Sequence, residues 1–530
     1  MQFKEDFRRR SEEEYIKDQG LLIDYDEIAR KGKMSKEEAL ISKWYGVYQS
    51  RQPGTHMARI VLAGGKFSAS QARVMAKSAR KYANNLLSIT TRQAVQLHFL
   101  TVENIPEFMR DLNHVGLTTY HGCGDVTRTI AACPLAETCL HSRINVLPHA
   151  AETAKYLTDA RDLDNLPRKF KITFSGCEAN CAQPYMNCVG VIAVQIKGQK
   201  AQPEKGFKVV IGGGMGWKAF VAQELFSFVP EASIKEVCRA IALFYRDHGD
   251  RYNRTRSRLK FVVDEKGIDF CRDEILKYML AEKFSTKGII AEPIEYVGSV
   301  IPIRPLTEEE PVGIDGLITV RALVPKGEIL ADQLERLAEL SEMYGNQNLY
   351  TDNRQNIAVH GIEERNVDKV REEIEKIGLR TRGSFGLRDL VSCVGKTYCP
   401  KAVTFTRELF DSLSELTDQK KYDGIEKKGF INITGCPNSC SPYRISDIGF
   451  RGLRVRNEDS GSVEGYEMLI GGDERKHGEK LGEFKKDDCV RIVQSLLDWF
   501  LEEGQQEELL GDFFCRIGLE GVKERVLNEI

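Results

Sequence analysis

Thr434–Cys440 reads TGCPNSC, and Ser175–Cys181 reads SGCEANC, so a C-x3-C pair occurs twice in the chain. Ahead of each lies a C-x5-C pair. Cys393 and Cys399 precede Cys436 and Cys440, and Cys133 and Cys139 precede Cys177 and Cys181. The two quartets follow each other at an almost constant separation, so one unit has been laid down twice. Four thiolates per unit suit an iron–sulfur cluster, whose irons are usually held by four cysteine sulfurs. That chemistry is electron transfer. Three rival readings exist. Buried cysteines are often inert small hydrophobes, which explains one cysteine well and two matching quartets badly. Disulfides belong to oxidising compartments, and the charged start MQFKEDFRRRSEEE lacks an apolar signal core. Structural zinc usually takes C-x2-4-C knuckles, whereas the spacings here are x5 and x3. The other six cysteines (Cys123, Cys188, Cys238, Cys271, Cys489, Cys515) have no counterpart in the repeat and read as filler, with Cys123 and Cys188 close to the motifs.

Outward from the cysteines, the duplication continues. MARIVLAGGKFSASQ from Met57 aligns with TVRALVPKGEILADQ from Thr319, pairing Arg59 with Arg321. TTRQAVQLH from Thr90 aligns with TDNRQNIAVH from Thr351, pairing Arg92 with Arg354 and His98 with His360. Arg128 and Arg388 each lie five residues before the first cysteine of a quartet. VVIGGG ending at Gly214 matches MLIGGD ending at Asp473. Two homologous repeats follow: an N-terminal arm over 1–56, repeat one over 57–299, a linker over 300–315 marked by VIPIRPLTEEEPVG, and repeat two over 316–530.

Each repeat opens with an α/β pattern. Leu334, Leu337, Leu340 and Met343 space as one helix face, and Val367, Val370, Ile374 and Ile377 as another, stopped by Gly378. Around Val95 the chain alternates like a strand. Val95, Leu97 and Phe99 point to one side, and Arg92, Gln96 and His98 to the other, a polar face suited to an anion or to solvent. LPRKFKITF is a second strand, with Lys169 and Lys171 on one face and Phe170 opposite. Two adjacent ammonium groups repel unless an anion lies between them; a solvated edge strand is the alternative. FYRDHGDRYNRTRSRLK, 244–260, reads alone as a solvated helix and beside a polycarboxylate as its clamp. GGGMG, 212–216, lacks the spacing, helix and acidic residue of a dinucleotide fingerprint. Electrons are therefore expected from another protein.

With 530 residues, 42% hydrophobic and 29% charged, the chain is long enough for several ordinary cores. A net charge of −2 argues against nucleic-acid binding, and no apolar run is long enough for a membrane span. A cytoplasmic location is expected.

The motifs KWYGVYQSRQPGTHMARI, TTRQAVQLH, GDVTRTI, LPRKFK, RDHGDRYNRTRSRLK and GCPNSC resemble the sirohaem-dependent sulfite/nitrite reductase family over nearly the whole chain. The resemblance implies an α/β (α+β) fold of two pseudo-twofold-related repeats. Each has a ferredoxin-like half (57–120 and 316–382) and a sirohaem- and cluster-binding α/β domain (121–299 and 383–530). It implies six-electron reduction of sulfite to sulfide, or of nitrite to ammonia, with electrons from a ferredoxin-like donor. By motif position Cys393, Cys399, Cys436 and Cys440 hold a 4Fe–4S cluster, and Cys440 bridges it to the sirohaem. Arg59, Arg128, Lys169 and Lys171 match the family's substrate cations, and Arg92 and Gln96 its cofactor contacts. Plant-type nitrite reductases tend to carry Asn at the second K-x-K position, so Lys171 favours sulfite. The complete first quartet departs from single-chain assimilatory members and is similar to dissimilatory sulfite reductases, where each of two related subunits has one. A second cluster at Cys133, Cys139, Cys177 and Cys181 would face Arg321, Arg388 and Lys428, with Phe430 where repeat one has Lys171. Outside catalysis, a haem-free electron-transfer subunit and a zinc-stapled structural protein are the other classes.

Overall fold

The computed structural model describes residues 12–20, 22–198, 203–298, 311–457 and 461–527. Two sheets built from the ferredoxin-like halves lie at its centre, and neither is made from one half alone. The first runs in the order Val47–Gln49, His56–Ile60, Val95–Leu100, Leu86–Ile89, Glu328–Leu330. The second runs Ile318–Ala322, Ile357–Ile362, Asn348–Thr351, Lys66–Ser68. Each half thus lends a three-residue strand to the other's sheet, in register Ile329↔Leu87 and Phe67↔Leu349. Phe67 and Ile329 are 2% and 1% exposed, and burying a side chain of that kind stabilises by about 1.5–3 kcal/mol. The helices that follow the lent strands, Ala69–Tyr82 and Ala331–Tyr344, pack on each other. The first is started by a Ser68–Gln71 capping box. Its buried face is mostly alanine (Ala69, Ala72, Ala76, Ala79), which lets Leu334 and Leu337 of the partner helix come close. One apolar core serves both halves.

The two flanking domains share one topology. In repeat one the order is Ala131–Ala132, Ile172–Ser175, Val189–Ile196, Glu204–Ile211, Gln223–Pro230; in repeat two it is Val391–Ser392, Ile431–Thr434, Ile448–Asn457, Gly461–Ile470, Glu479–Lys485. In both, the first three strands are parallel and the rest antiparallel. Cys133, Cys177, Cys393 and Cys436 each follow the carboxyl end of one of the short parallel strands, where open α/β sheets present their ligand sites.

Gln93 and Gln355, both at positive φ (59° and 71°), fasten these layers together. Gln93 Nε2 donates to the carbonyls of Ala132 (2.9 Å) and Thr351 (2.8 Å), and its Oε1 accepts from the Ala132 amide at 2.8 Å. Gln355 repeats this with Ile89 (2.9 Å) and the Ser392 amide (3.1 Å). Each glutamine ties its own cysteine-bearing strand to the opposite half.

Two expectations need adjustment, and a third lies mostly outside the described residues. Val47–Gln49, assigned to the arm, pairs with His56–Ile60 and belongs to the central sheet. Phe99 leaves the apolar face: at φ 69° it breaks the alternation, and its ring meets Tyr398 edge-on at 5.7 Å. Of the 300–315 linker, residues 300–310 lie outside the described residues.

Candidate active site

Phe170 is fully buried and stacks on Tyr245 at 5.5 Å. Strand geometry then turns Lys169 and Lys171 to the opposite face. Backbone bonds on either side of Phe170, to Val126 and from Arg128, lay the Val126–Arg128 segment alongside. Arg128 reaches the Gly122 carbonyl through Nε (3.0 Å) and Nη2 (2.5 Å). Arg59 Nη1 donates to the same carbonyl at 3.0 Å and to Cys123 Sγ at 3.2 Å. A side chain at Gly122 would meet the Arg59 carbonyl at 2.6 Å, so the two guanidiniums converge on a point only glycine leaves open. Gln96, register partner of Arg59, accepts from its Nη2 at 3.0 Å. Gln96, expected as a cofactor contact, therefore orients Arg59. Arg92 donates to Asn187 (2.8 Å) and the Ile172 carbonyl (2.6 Å), leaving its buried Nε unpartnered.

Sequence reasoning missed the rest of the pocket wall. Arg258 donates to Cys188 Sγ at 3.1 Å, with Nε buried and unpartnered. Lys260 reaches the carbonyls of Met215 (2.8 Å), Gly214 (3.3 Å) and Lys218. Both come from the 244–260 stretch, but the stretch as a whole is not a clamp. Arg246 pairs with Asp247 and Asp162, Arg251 with Glu14, and Arg254 with Glu13 and Asp125. Arg251 and Arg254 bolt down the arm helix Glu12–Asp18. Charge density alone could not separate the two groups, because which cations face a pocket depends on partners over a hundred residues away. GGGMG acts as packing: a side chain at Gly213 would meet the Tyr185 carbonyl at 2.2 Å, and no helix follows.

The pocket holds cations without anions. Burial, then Arg258, pushes Lys169 down to about 7. Burial, then Arg92 and Lys169, holds Lys171 well below the ordinary lysine value. Burial carries Arg92 down to about 9, with Arg128, Arg258 and Arg59 adding repulsion. Burial lowers Lys260 to about 7, Arg258 adding to it. Neither the Lys169 nor the Lys171 ammonium has a hydrogen-bond or ion-pair partner among the described residues. For both lysines the opposing, charge-favouring influence is Cys440, across the repeat boundary. Thr91 Oγ1 donates to the Cys440 carbonyl at 2.7 Å, joining the loop of Arg92 to the second quartet.

The second quartet gathers as a set. The Gly435 amide donates to Cys393 Sγ at 3.1 Å. Burial, then Cys440, raises the Cys393 thiol to about 11. Burial raises Cys436, which also feels Cys440 and Cys399. Cys440 is exposed, its sulfur open to the cationic pocket. The first quartet gathers too: Cys133 bonds Cys181, and Cys139 and Cys177 both feel Cys133. Among the described residues no three Cys, His, Asp or Glu side chains close on a single point as ligands of one metal ion do. Soft thiolates in fours are the donor set of cluster irons. Unpartnered buried guanidinium and ammonium groups are what a polycarboxylate macrocycle and an oxyanion require.

The repeat-two cations do not assemble a matching pocket. Arg388 turns outward to Asp423 (2.5 Å) and Glu426 (3.0 Å). Lys428 bonds the Gln506 carbonyl at the surface. Arg321 lies under the Phe385 ring at 4.1 Å. Arg354 pairs with Asp389 at 2.7 Å and lies 4.2 Å from the Phe430 ring.

The sequence matches the nitrite and sulphite reductase 4Fe–4S domain over 123–283 and 384–530, and the ferredoxin-like half domain of the same enzymes over 48–115 and 313–377. The chain belongs to the nitrite and sulphite reductase family. It is an oxidoreductase of α/β architecture with two related repeats. It is 30% identical over 456 residues to sulfite reductase (ferredoxin) 2 of Mycolicibacterium paratuberculosis, covering 81% of this chain and 79% of that one. It is 31% identical over 451 residues to the assimilatory ferredoxin-dependent nitrite reductase of Haloferax mediterranei, covering 81% and 76%. Its fold superposes on the solved Mycobacterium tuberculosis NirA protein with a TM-score of 0.84, at 26% identity over 96% of each chain. Among the described residues no helix is long and apolar enough to cross a membrane.

Proposed function

We propose that the chain reduces sulfite to sulfide at a sirohaem bridged through Cys440 to a 4Fe–4S cluster on Cys393, Cys399, Cys436 and Cys440, with electrons from a ferredoxin-type protein. The supporting observation is the pair of ammonium groups, Lys169 and Lys171, with no anion beside them, facing Cys440 together with Arg59 and Arg128. Bound cofactors supply the electron transfer. The protein supplies the rest. Arg92 and Arg258 each keep a buried Nε for the macrocycle's carboxylates. Arg59 and Arg128, fixed on Gly122, present donors where oxyanion charge builds. Each oxygen that leaves sulfite as water takes protons, and a charged ammonium beside the anion is placed to give one. Anion binding raises that value again, so the lysines enter the complex charged. A second cation at Lys171 suits a dianion better than a monoanion.

The reading is tested on anaerobically purified protein by a visible spectrum with iron and sirohaem counts, then by kcat/KM for sulfite and nitrite with one reduced donor. A sirohaem spectrum and a higher kcat/KM for sulfite are expected. Cluster signals without sirohaem would make it an electron-transfer subunit, and a higher kcat/KM for nitrite would reverse the substrate assignment.

A further inference from the structure

We propose that the first quartet, Cys133, Cys139, Cys177 and Cys181, holds a second 4Fe–4S cluster that carries no macrocycle. The proposal rests on the reading of the second quartet and extends it by local symmetry, observed feature by feature. The Gly176 amide bonds the Cys133 sulfur as the Gly435 amide bonds Cys393. Asn353 Nδ2 donates to the Cys181 carbonyl at 2.8 Å, as Thr91 Oγ1 does to Cys440 at 2.7 Å. The Ile314 amide donates to the Thr138 carbonyl (2.9 Å), as the Arg51 amide does to Tyr398 (3.1 Å), so each C-x5-C loop is closed by the stretch that opens the other ferredoxin-like half domain. Those contacts build a cradle around four sulfurs in both repeats. Selection for inert packing gives no reason to keep four thiols and both sets of braces.

The symmetry stops at the macrocycle. Cys440 is exposed toward unpartnered cations, whereas Cys181 is only partly exposed and packs against the core. In repeat two Phe385 and Phe430 each lie against a guanidinium, and Asp389 already neutralises Arg354. The other cations that match repeat one turn elsewhere, Arg388 to Asp423 and Glu426 and Lys428 to the Gln506 carbonyl. A cluster so placed takes one electron from a low-potential protein donor, its core charge falling from 2+ to 1+, and returns it with no bond made or broken.

Iron, zinc and sirohaem are counted per chain in the anaerobically purified full-length protein and in Cys177→Ala and Cys436→Ala. The wild type is expected to hold about eight irons outside the macrocycle, at four per cluster, and one sirohaem. Cys177→Ala is expected to fall to about four irons and keep its sirohaem, whereas Cys436→Ala loses irons and sirohaem together. About four irons in both wild type and Cys177→Ala would overturn the second cluster while leaving the first intact. Two sirohaems per chain, or zinc in place of four irons, would overturn it as well. A wild type without iron or sirohaem would instead remove the proposed function itself. If Cys177→Ala does not fold, the wild-type counts alone decide.

Discussion

The pocket of Lys169 and its counterpart around Phe430 are built on the same strands, yet they treat charge in opposite ways. In repeat one Arg59, Arg92, Arg128, Lys169 and Lys171 crowd together, and the two ammonium groups have no counter-anion among the described residues. In repeat two the matching cations are paired or turned aside: Arg354 meets Asp389, Arg388 meets Asp423 and Glu426, Lys428 reaches the surface, Arg321 lies against the Phe385 ring, and Phe430 takes the Lys171 position. The fold therefore does not require bare cations. Where duplication left a copy without them, buried charge was paired in the ordinary way. Unpaired, mutually repelling groups kept in one copy only mark the place where a ligand supplies the missing anion.

The largest expected effect separates the two copies directly. Lys169→Met removes one donor from the developing oxyanion and is expected to lower kcat/KM for sulfite by about 10²–10³-fold. Lys428→Met, at the matching position, should leave kcat/KM unchanged, because that ammonium bonds a surface carbonyl. Equal losses from both would break the asymmetry.

Stability should respond in repeat two. Asp389 and Arg354 are 4% and 6% exposed, and Asp389 also accepts from Asn356 at 2.9 Å. Asp389→Asn keeps the shape and strands the guanidinium; breaking such a buried pair costs about 3–5 kcal/mol. The lower end is expected here. Burial, then Asp389, holds the Asp352 carboxyl above its ordinary value, so losing the Asp389 charge removes that repulsion and recovers part of the cost. Denaturant unfolding should show the loss, with sirohaem content unchanged.

The pH profile sharpens the comparison further. In the free enzyme Lys169 is held near 7, so the charged form is present below that value and lost above it. The rate constant kcat/KM should be flat in acid and fall about tenfold per pH unit well above 7. Because the bound anion favours the charged lysine, kcat should fall only at higher pH. Coincident profiles would assign the titration to another group.

Periodicity and spacing carried two repeats, two quartets and a K-x-K pair on one face, whereas Arg59 and Arg128 were expected beside them from the family resemblance. What was illegible depends on long-range pairing. Nothing local in LPRKFK or RDHGDRYNRTRSRLK says that Arg258 and Lys260 face the pocket while Arg251 and Arg254 hold the arm helix through Glu13 and Glu14. The lent strands were hidden for the same reason, since Lys66–Ser68 and Glu328–Leu330 read as ordinary short strands until their partners are known. The hold of Gln96 on Arg59, its register partner, was hidden in the same way.

The smallest expected effect tests the comparison from its quiet side. Arg388 occupies the position of Arg128, five residues before a quartet, and sequence alone gives them equal standing. Arg128 points into the pocket, and both of its contacts are to one backbone carbonyl, which leaves its charge uncompensated. Arg388 lies among carboxylates at the edge of repeat two, one of its partners, Asp423, being half exposed. Surface pairs of this kind contribute about 0–1 kcal/mol each. Arg388→Ala should therefore shift the unfolding midpoint slightly and leave sulfite kcat/KM within about twofold, a change under about 0.5 kcal/mol, while Arg128→Ala at the equivalent place should lower it steeply. A steep loss in Arg388→Ala would mean that repeat two still touches the reaction, and the separation of one catalytic copy from one silent copy would fail.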